Sequence, residues 1–407
     1  MSHTKVAIIG GGVTGIAASA FFKDSDTVIF EASSQLGGIL KDTESCDFNF
    51  FSGCQYFDPN AVWFDKLAKK KDFYTFEHLY GSYTDIFGEV TISTNFAGPV
   101  CSHSDIVVNP EQRNLAQSLL DRLNLYPSAV SKGLENWFRN ININPSSTHS
   151  SSIVGFQAGR VYLENTSQDL EVLKRNNETI DSLYGLPREK IGLSNNLASL
   201  PYEGFNKVFK SFYNSESQST DIQLSAGVKA EILGNEISLI SKGRQIDCDY
   251  VLWTADPSPL IYSVSGQKLD SQKFEVEHLN GFLDSKVTSP FYIQVYSTYS
   301  KILRIFVYNI SGKGCYTIEK ARGDERANQV FEFSQFVLEQ FKSLKMKQIL
   351  KRKKHTRYYA YTTKDHSLLK TFLKSNEISN LLMPDHLLYG RDEKINSVLN
   401  QIREKNL

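Results

Sequence analysis

Three glycines near the start of the sequence have the spacing of a dinucleotide-binding turn. Gly10, Gly12 and Gly15 stand in a G-x-G-x-x-G pattern. An apolar run, Val6 to Ile9, precedes them and predicts a buried parallel strand, and the small and apolar residues after them predict a helix. In such a turn the first glycine allows the bend, the second lets the backbone approach a pyrophosphate, and the third lets the helix pack on the sheet. The helix N-terminus then offers N–H groups to the phosphates.

A glutamate at the end of the next predicted strand supports the same interpretation. Thr27 to Phe30 predicts that second strand, and Glu31 follows it directly. A carboxylate there accepts hydrogen bonds from ribose hydroxyls and repels a 2′-phosphate, so the position argues against NADP. The strand before the glycines, the helix after them and this glutamate form the context in which the glycine motif is informative.

A second glycine pair, Gly37 and Gly38, follows Glu31 in the run E-A-S-S-Q-L-G-G. The extended motif resembles that of the FAD-dependent amine-oxidase-like flavoproteins, in which the second pair passes beside the dinucleotide. The resemblance implies FAD rather than NAD as the cofactor, because a plain NAD-binding domain does not require that pair. The cofactor contacts that it implies in this region are Gly10, Gly12, Val13, Thr14, Gly15, Glu31, Ala32, Gly37, Gly38 and Ile39.

The segment from Gly53 to Phe57 is similar to the G-x-H-x-F segment that lies against the flavin ring in related flavoproteins. UDP-galactopyranose mutases have a histidine where this chain has Gln55. Glutamine can donate and accept hydrogen bonds, but it does not titrate near neutral pH as histidine does. The resemblance implies that Gly53 and Gln55 contact the cofactor. A β-turn without cofactor contact is the alternative.

Three later stretches resemble further parts of the same cofactor site. Residues 200–213 resemble the segment through which the chain of these flavoproteins returns from the inserted domain to the cofactor domain. Residues 221–257 contain Val228, whose family counterpart contacts the adenine, and Ala255, which ends a D-x-V-V-x-A-x-P-like strand. Near the C-terminus, Leu387 to Tyr389 predicts a last strand, and a helix is predicted to begin near residues 394–396. In the family that helix points its N-terminus at the flavin, where its dipole stabilises negative charge. The residues carried over from this terminal motif are Gly390, Arg391, Asn396 and Ser397.

The composition is that of a globular protein with no net charge, and the length predicts two domains or one large domain with an insertion. The chain has 407 residues, 41% of them apolar, and 45 basic residues balance 45 acidic ones. This balance gives no electrostatic reason to expect binding to nucleic acid or to an anionic membrane. A basic run at 345–355 is interpreted as a solvated face. The five scattered cysteines lack metal-ligand spacing and predict no disulfide framework, so we expect no metal and favour a reducing compartment.

The sequence has no signal-peptide pattern and no run of about 18 apolar residues, which predicts a cytoplasmic protein without a transmembrane helix. The resemblance implies an α/β fold with an α+β insert. It comprises a Rossmann-like FAD-binding domain of the glutathione-reductase type and a discontinuous second domain for the substrate. The predicted FAD-binding domain comprises residues 1–57, 200–257 and 366–407, and the substrate or cap domain comprises 58–199 and 258–365.

The resemblance implies an FAD-dependent oxidoreductase that transfers a hydride from a C–N or C–C bond of a small molecule to the flavin. The tyrosines of the run RYYAYTTKD would wall the substrate pocket, and ordinary packing in a core is the alternative for them. The expected partner is a small molecule, either an amine or a sugar nucleotide, and a homo-oligomer is possible. The candidate catalytic residues are Gln55, Arg357, Tyr359 and Tyr361.

Two other functions are compatible with the sequence. The first is a non-redox sugar-nucleotide mutase similar to UDP-galactopyranose mutase, in which Arg160, Arg304 and Arg357 would clamp a diphosphate. Gln55 in place of the histidine, and the lack of that family's middle-domain motifs, count against it. The second is a non-catalytic FAD-bound scaffold or sensor.

Overall fold

The computed structural model of the chain describes residues 4–22, 26–45, 48–53, 55–67, 72–94, 96, 98–101, 118–153, 160–164, 168–186, 197–213, 220–375, 378–388 and 390–407. Within these ranges, one β-sheet has five strands and another has seven, and helices pack against both. The chain is therefore mixed α/β, as the sequence predicts. Among the helices in these ranges, none is long and apolar enough to cross a membrane.

The five-stranded sheet is parallel, which agrees with the Rossmann-like prediction. Ile9 lies opposite Phe30 on one side and Trp253 on the other, so three strands end side by side at one edge. Because parallel sheets are covered on both faces, the strand that ends at Ile9 is almost fully buried. In spatial order the strands are β12 (Thr220–Gln223), β2 (Thr27–Phe30), β1 (Thr4–Ile9), β16 (Cys248–Trp253) and β22 (Leu381–Leu382).

The seven-stranded sheet supplies the other large surface. In spatial order its strands are β21 (Met346–Ala360), β17 (Gln272–Leu283), β20 (Lys313–Ala321), β19 (Ile302–Ile310), β18 (Phe291–Tyr296), β6 (Leu79–Thr84) and β7 (Thr91–Ser93). All neighbours are antiparallel except β18 and β6, which are parallel. Helix α9 (Ala327–Lys342) packs on this sheet through Val330, Val337 and Leu338.

The remaining described strands form four small groups. β3 (Thr43–Ser45) pairs with β4 (Phe48–Phe50), and β5 (Phe73–Glu77) pairs with β11 (Leu197–Pro201), both antiparallel. β13 (Val228–Leu233), β14 (Glu236–Ser241) and β15 (Arg244–Ile246) form an antiparallel sheet. β8 (Val100–Cys101), β9 (Val161–Leu163) and β10 (Tyr184–Gly185) form a parallel one.

Helices α1 (Val13–Ser19) and α11 (Arg391–Glu404) pack against each other beside the parallel sheet, where their apolar residues share one core cluster. Short 3₁₀ turns lie at Gly38–Leu40 and Ser150–Ile153. The other described helices are α2 (Phe64–Leu67), α3 (Leu119–Leu123), α4 (Ser128–Asn140), α5 (Gln168–Asn176), α6 (Glu178–Leu183), α7 (Phe205–Tyr213), α8 (Pro257–Ser265) and α10 (Thr363–Ser375).

The two sheets fall into different parts of the predicted domain division. All strands of the parallel sheet lie within 1–57, 200–257 and 366–407, and all strands of the seven-stranded sheet lie within 58–199 and 258–365. The division into an FAD-binding domain and a substrate domain, and its boundaries, stay a prediction.

The predicted strand from Leu387 onward is wrong. The last strand is β22, and residues 385–388 form a turn instead. The side chain of Asp385 accepts a hydrogen bond from the Leu387 N–H at 2.9 Å, and its carbonyl accepts one from the Leu388 N–H at 3.2 Å. These local bonds compete with strand pairing, and Pro384 lacks the N–H that a strand ladder needs. Helix α11 also begins earlier than predicted, and Tyr389 lies outside the described residues.

Gly15 lies at a very close approach between α1 and the glycine turn. A methyl group on Gly15 would lie 2.1 Å from the carbonyl oxygen of Gly10 and 2.9 Å from Oγ1 of Thr254. Gly12 differs, because a methyl group there would meet no atom within 4 Å and its φ of −74° suits any residue. The third glycine of the motif therefore serves packing, while the second leaves the backbone open.

We expect Gly15→Ala to lower the free energy of unfolding by about 1–3 kcal/mol, the usual cost of overpacking a closed core. Gly12→Ala is the matched control and should change stability by no more than about 0.5 kcal/mol. Urea-induced unfolding followed by circular dichroism measures both variants. Equal stabilities would contradict the close approach at Gly15.

Candidate functional site

A cavity of about 1050 Å³ lies at the edge where β1, β2 and β16 end. It exceeds the roughly 300–1,000 Å³ that drug-sized ligands occupy, so it has room for a dinucleotide. Loops of the parallel sheet form one part of its wall, and residues of the seven-stranded sheet and of the C-terminal segment form another. The predicted site residues that line it are Gly10, Gly12, Val13, Thr14, Glu31, Ala32, Gly37, Gly38, Ile39, Gln55, Val228, Ala255, Tyr359, Tyr361 and Arg391.

The remaining predicted residues are placed elsewhere. Gly15 packs beneath the glycine turn, and Gly53 precedes the cavity-lining segment with a φ of +84°. Gly390 is the N-cap of α11, while Asn396 is exposed on that helix. The Ser397 hydroxyl accepts a hydrogen bond from the Asp385 N–H. Arg357 lies in β21, with its side chain outside the described residues.

Glu31 ties the first glycine turn to the loop after β2. Its Oε2 accepts a hydrogen bond from the Gly11 N–H at 2.8 Å. Its Oε1 accepts hydrogen bonds from the N–H and the hydroxyl of Ser33, at 2.8 and 2.5 Å. A carboxylate has about four lone-pair positions, so these bonds leave Glu31 able to accept hydrogen bonds from a ribose.

The second glycine pair lies directly against the first turn. Gly37 donates its N–H to the carbonyl of Gly11 at 2.7 Å and forms a bridge with Gly12. Its φ is +109°, and a methyl group there would lie 2.5 Å from the ring of Phe209 in α7. Both the backbone conformation and the packing therefore require glycine, which explains why the pair accompanies the first motif.

Gln55 and Arg391 meet on the cavity wall, although 336 positions separate them in sequence. Arg391 donates from Nη2 to Oε1 of Gln55 at 2.5 Å and from Nη1 to the carbonyl of Tyr56 at 2.7 Å. Its guanidinium also lies 5.2 Å from the centre of the Phe57 ring. Gln55 is only 5% exposed, so these contacts fix its side chain at the wall.

The segment that carries Gln55 is anchored to the seven-stranded sheet through Phe51. The Phe51 carbonyl accepts hydrogen bonds from the Thr317 hydroxyl at 2.8 Å and from Nδ2 of Asn280 at 3.3 Å. Its N–H donates to the Tyr308 hydroxyl at 3.0 Å. Thr317, Asn280 and Tyr308 are fully buried and also bond to one another through the Thr317 hydroxyl. We call these four residues the Phe51 anchor.

The two predicted tyrosines stand together at the cavity. The rings of Tyr359 and Tyr361 are stacked, with centres 6.2 Å apart and planes at 15°. The Tyr359 hydroxyl donates to Oδ2 of Asp256 at 2.8 Å, and Asp256 also caps α8 by accepting from the Ser258 N–H. Burial, followed by this contact with Asp256, raises the pKa of Tyr359. The phenol therefore stays protonated and acts as a hydrogen-bond donor.

Other cavity residues were not predicted from the sequence. His386 lines the wall, and burial lowers its pKa to about 3, so its imidazole is neutral near pH 7. Burial also lowers the pKa of Lys394. Asp256 had a usable signal, because an aspartate before Pro257 at the end of a strand is a common helix start. No sequence signal marked His386, which directly precedes the mispredicted strand that begins at Leu387.

The three-arginine arrangement expected for a diphosphate does not form among the described side chains. Arg304 lines the cavity. Arg160 is exposed and contacts Asp181 at 3.3 Å, and it is not among the described lining residues. Among the described residues, no group of three or more His, Cys, Asp and Glu side chains is placed to hold a metal ion.

Several solved structures share this fold over the whole chain. Wild-type putrescine oxidase bound to putrescine aligns with a TM-score of 0.61 and 11% identity, over 99% of each chain. A candidate protoporphyrinogen oxidase from Exiguobacterium sp. 255-15 has a TM-score of 0.63 and 12% identity, over 100% of this chain and 99% of its own. A CLA-producing fatty acid isomerase from P. acnes has a TM-score of 0.55 and 11% identity, over 99% of each chain. No protein-family model and no curated protein matches the sequence.

The chain has the fold of these oxidase and isomerase structures, which agrees with the fold that the resemblance in the sequence motifs implies. The names of these structures indicate different substrates, so the shared fold does not identify the substrate of this chain.

We expect Thr317→Val to lower the free energy of unfolding by about 1–3 kcal/mol, because it leaves buried polar groups of the Phe51 anchor without their partner. Thr91→Val, in the partly exposed strand β7, is the matched control and should change stability by no more than about 0.5 kcal/mol. Denaturant unfolding measures both. If Thr317→Val lowered the free energy of unfolding no more than Thr91→Val does, the Thr317 hydroxyl would not stabilise the fold.

Proposed function

We propose that the protein binds FAD in the 1050 Å³ cavity and acts as an oxidoreductase of the amine-oxidase-like class on a small molecule. The observation that carries the proposal is the continuity of the cavity. It runs from the double glycine turn and Glu31 to the wall formed by Gln55, Tyr359 and Tyr361. The end at the glycine turns suits the adenosine and pyrophosphate of a dinucleotide. The other end suits the flavin ring with a substrate beside it.

The residues present fit FAD on their own geometry. Gly12 has open space where a side chain would stand, so a pyrophosphate can approach the backbone closely. The first turn of α1 has no side-chain cap, which leaves its N–H groups for the phosphates. Val228 and Ala226 line the wall near Glu31, where the adenosine half would lie. The glutathione-reductase-type topology and the domain boundaries 1–57, 200–257 and 366–407 form part of this proposal.

Bound FAD would supply the hydride acceptor, and the chain would bind and orient the substrate. Arg391 holds the Gln55 amide at the wall, and the protonated Tyr359 hydroxyl is held by Asp256. The stacked tyrosines offer flat apolar faces to the substrate and exclude water from it. A cytoplasmic location and a possible homo-oligomer remain predictions.

The first test is cofactor binding. We expect the purified protein to show flavin absorbance or to quench the fluorescence of added FAD at a 1:1 ratio. Glu31→Ala should weaken FAD binding about tenfold or more, because it removes the ribose acceptor and releases the Gly11 N–H. Glu236→Ala, on the exposed side of β14, is the control and should bind FAD normally. A protein that neither contains nor takes up FAD would overturn the proposal.

The second test separates the oxidoreductase from its alternatives. An oxidoreductase should bleach the flavin absorbance anaerobically when its substrate is added, and oxygen or another acceptor should restore the colour. A sugar-nucleotide mutase would instead be active only after the flavin is reduced chemically, with no net change in redox state. A protein that binds FAD but shows neither response to panels of amines, amino acids and sugar nucleotides would be a scaffold or sensor.

A further inference from the structure

Arg304 brings a positive charge into the cavity from the middle of the seven-stranded sheet. It lies on β19, between Gln294 of β18 and Glu319 of β20 in the strand register. Its side chain is only 12% exposed, and it lines the cavity together with Gln55 and Tyr56. Strands on both sides fix its backbone, so the guanidinium is carried on a rigid part of the fold.

A buried acid stands behind this arginine. Nε of Arg304 lies 2.9 Å from Oε2 of Glu319, whose side chain is 1% exposed. His278, which is equally buried, places Nε2 at 3.5 Å from the other carboxylate oxygen. Charges in a sheet core cost desolvation energy, and apolar residues of similar size commonly stabilise such a position better. A guanidinium has five N–H donors, so it can face a carboxylate on one side and a ligand on another.

The acidic side chains known to line the cavity each accept a hydrogen bond from the protein. Glu31 accepts from Gly11 and Ser33 at the dinucleotide end. Each of the other acidic lining residues in the described part of the chain also has a hydrogen-bond donor within the protein. These pairs are Asp58 with the Asn60 N–H, Asp256 with the Ser258 N–H and the Tyr359 hydroxyl, and Asp392 with Nε1 of Trp63. A substrate ammonium would therefore share these carboxylates with donors of the protein, whereas an anion would meet the guanidinium of Arg304.

We propose that Arg304 binds an anionic group of the substrate, a carboxylate or a phosphate, and that the substrate class is anionic rather than a simple diamine. This inference rests on the proposed function in taking the cavity as the substrate site. It distinguishes this chain from the neighbour that binds putrescine, a diamine. Arg304 is a substrate-binding and specificity-determining residue in this proposal, and Glu319 orients it.

Three probes with similar carbon skeletons test the charge preference directly. Phenylacetate, phenyl phosphate and phenethylammonium are titrated into the purified protein by isothermal titration calorimetry, and the flavin content is measured separately by absorbance. We expect at least one anion to bind about tenfold or more tightly than phenethylammonium, the difference expected for a charge-assisted hydrogen bond. Tighter binding of phenyl phosphate indicates a phosphate-bearing substrate, and tighter binding of phenylacetate indicates a carboxylate.

Variants then assign the preference to the residue. Arg304→Met should remove the preference for anions, but it leaves Glu319 buried without its cation and could fail to fold. The double variant Arg304→Met/Glu319→Gln removes both charges and keeps the test valid. Arg322→Met, at an exposed ion pair with Glu275, is the control and should keep the preference.

Two results would overturn the inference: phenethylammonium binding as tightly as the anions, or an anion preference that survives in the folded double variant. Neither depends on flavin chemistry, because calorimetry reports probe binding whether or not the flavin reacts. A protein that neither contains nor takes up FAD but still prefers the anions through Arg304 would overturn the proposed function and keep this binding site.

Discussion

The cavity depends on how the backbone of Phe51 is held. This residue lies between the hairpin β3–β4 and Gln55, and both of its backbone polar groups bond to buried side chains of the seven-stranded sheet. A buried carbonyl or N–H without a partner is costly, so the anchor fixes the register of the segment against the sheet. The positive φ of Gly53 then turns the chain and brings Gln55 to the wall. Arg391 reaches that wall from the far end of the sequence and completes it.

The two sheets contribute different physical properties to one site. The parallel sheet ends its strands at a common edge, where backbone N–H groups and glycines can approach a large anionic ligand. The seven-stranded sheet presents side chains instead, and Arg304, Tyr359 and Tyr361 all come from its strands or from the residue just beyond β21. A surface made of backbone groups can persist while the sequence changes, whereas a surface made of side chains changes with the sequence. The fold shared at 11–12% identity with proteins whose names indicate different substrates therefore leaves the substrate of this chain open.

The geometry of the glycine turns could be predicted because its signals are local, while their role in binding a dinucleotide stays a proposal. Gly10, Gly12, Gly37 and Glu31 lie within one short stretch, and each is explained by a turn, a close approach or a capping carboxylate. The rest of the site depends on contacts between distant residues, such as Trp63 with Asp392, 329 positions apart. The hydrophobic periodicity of a sequence does not indicate which distant residues will contact each other. The predicted strand that begins at Leu387 is wrong for a different reason. The residues are apolar, but Asp385 forms a local turn that a hydrophobic pattern does not reveal.

The protonation states of Tyr359 and His386 suit these side chains to orienting a ligand by hydrogen bonds rather than to transferring protons. The pKa of Tyr359 is raised by burial and by Asp256, and the pKa of His386 is lowered to about 3 by burial. Near pH 7 the phenol keeps its proton and the imidazole stays neutral, so neither group changes charge as the pH varies over the physiological range. Proton transfer works best when the pKa lies near the operating pH, which neither group satisfies. In the proposed hydride transfer, the protein has chiefly to position the substrate and exclude water, and Tyr359 on β21 and His386 in the turn 385–388 could serve that purpose without changing charge.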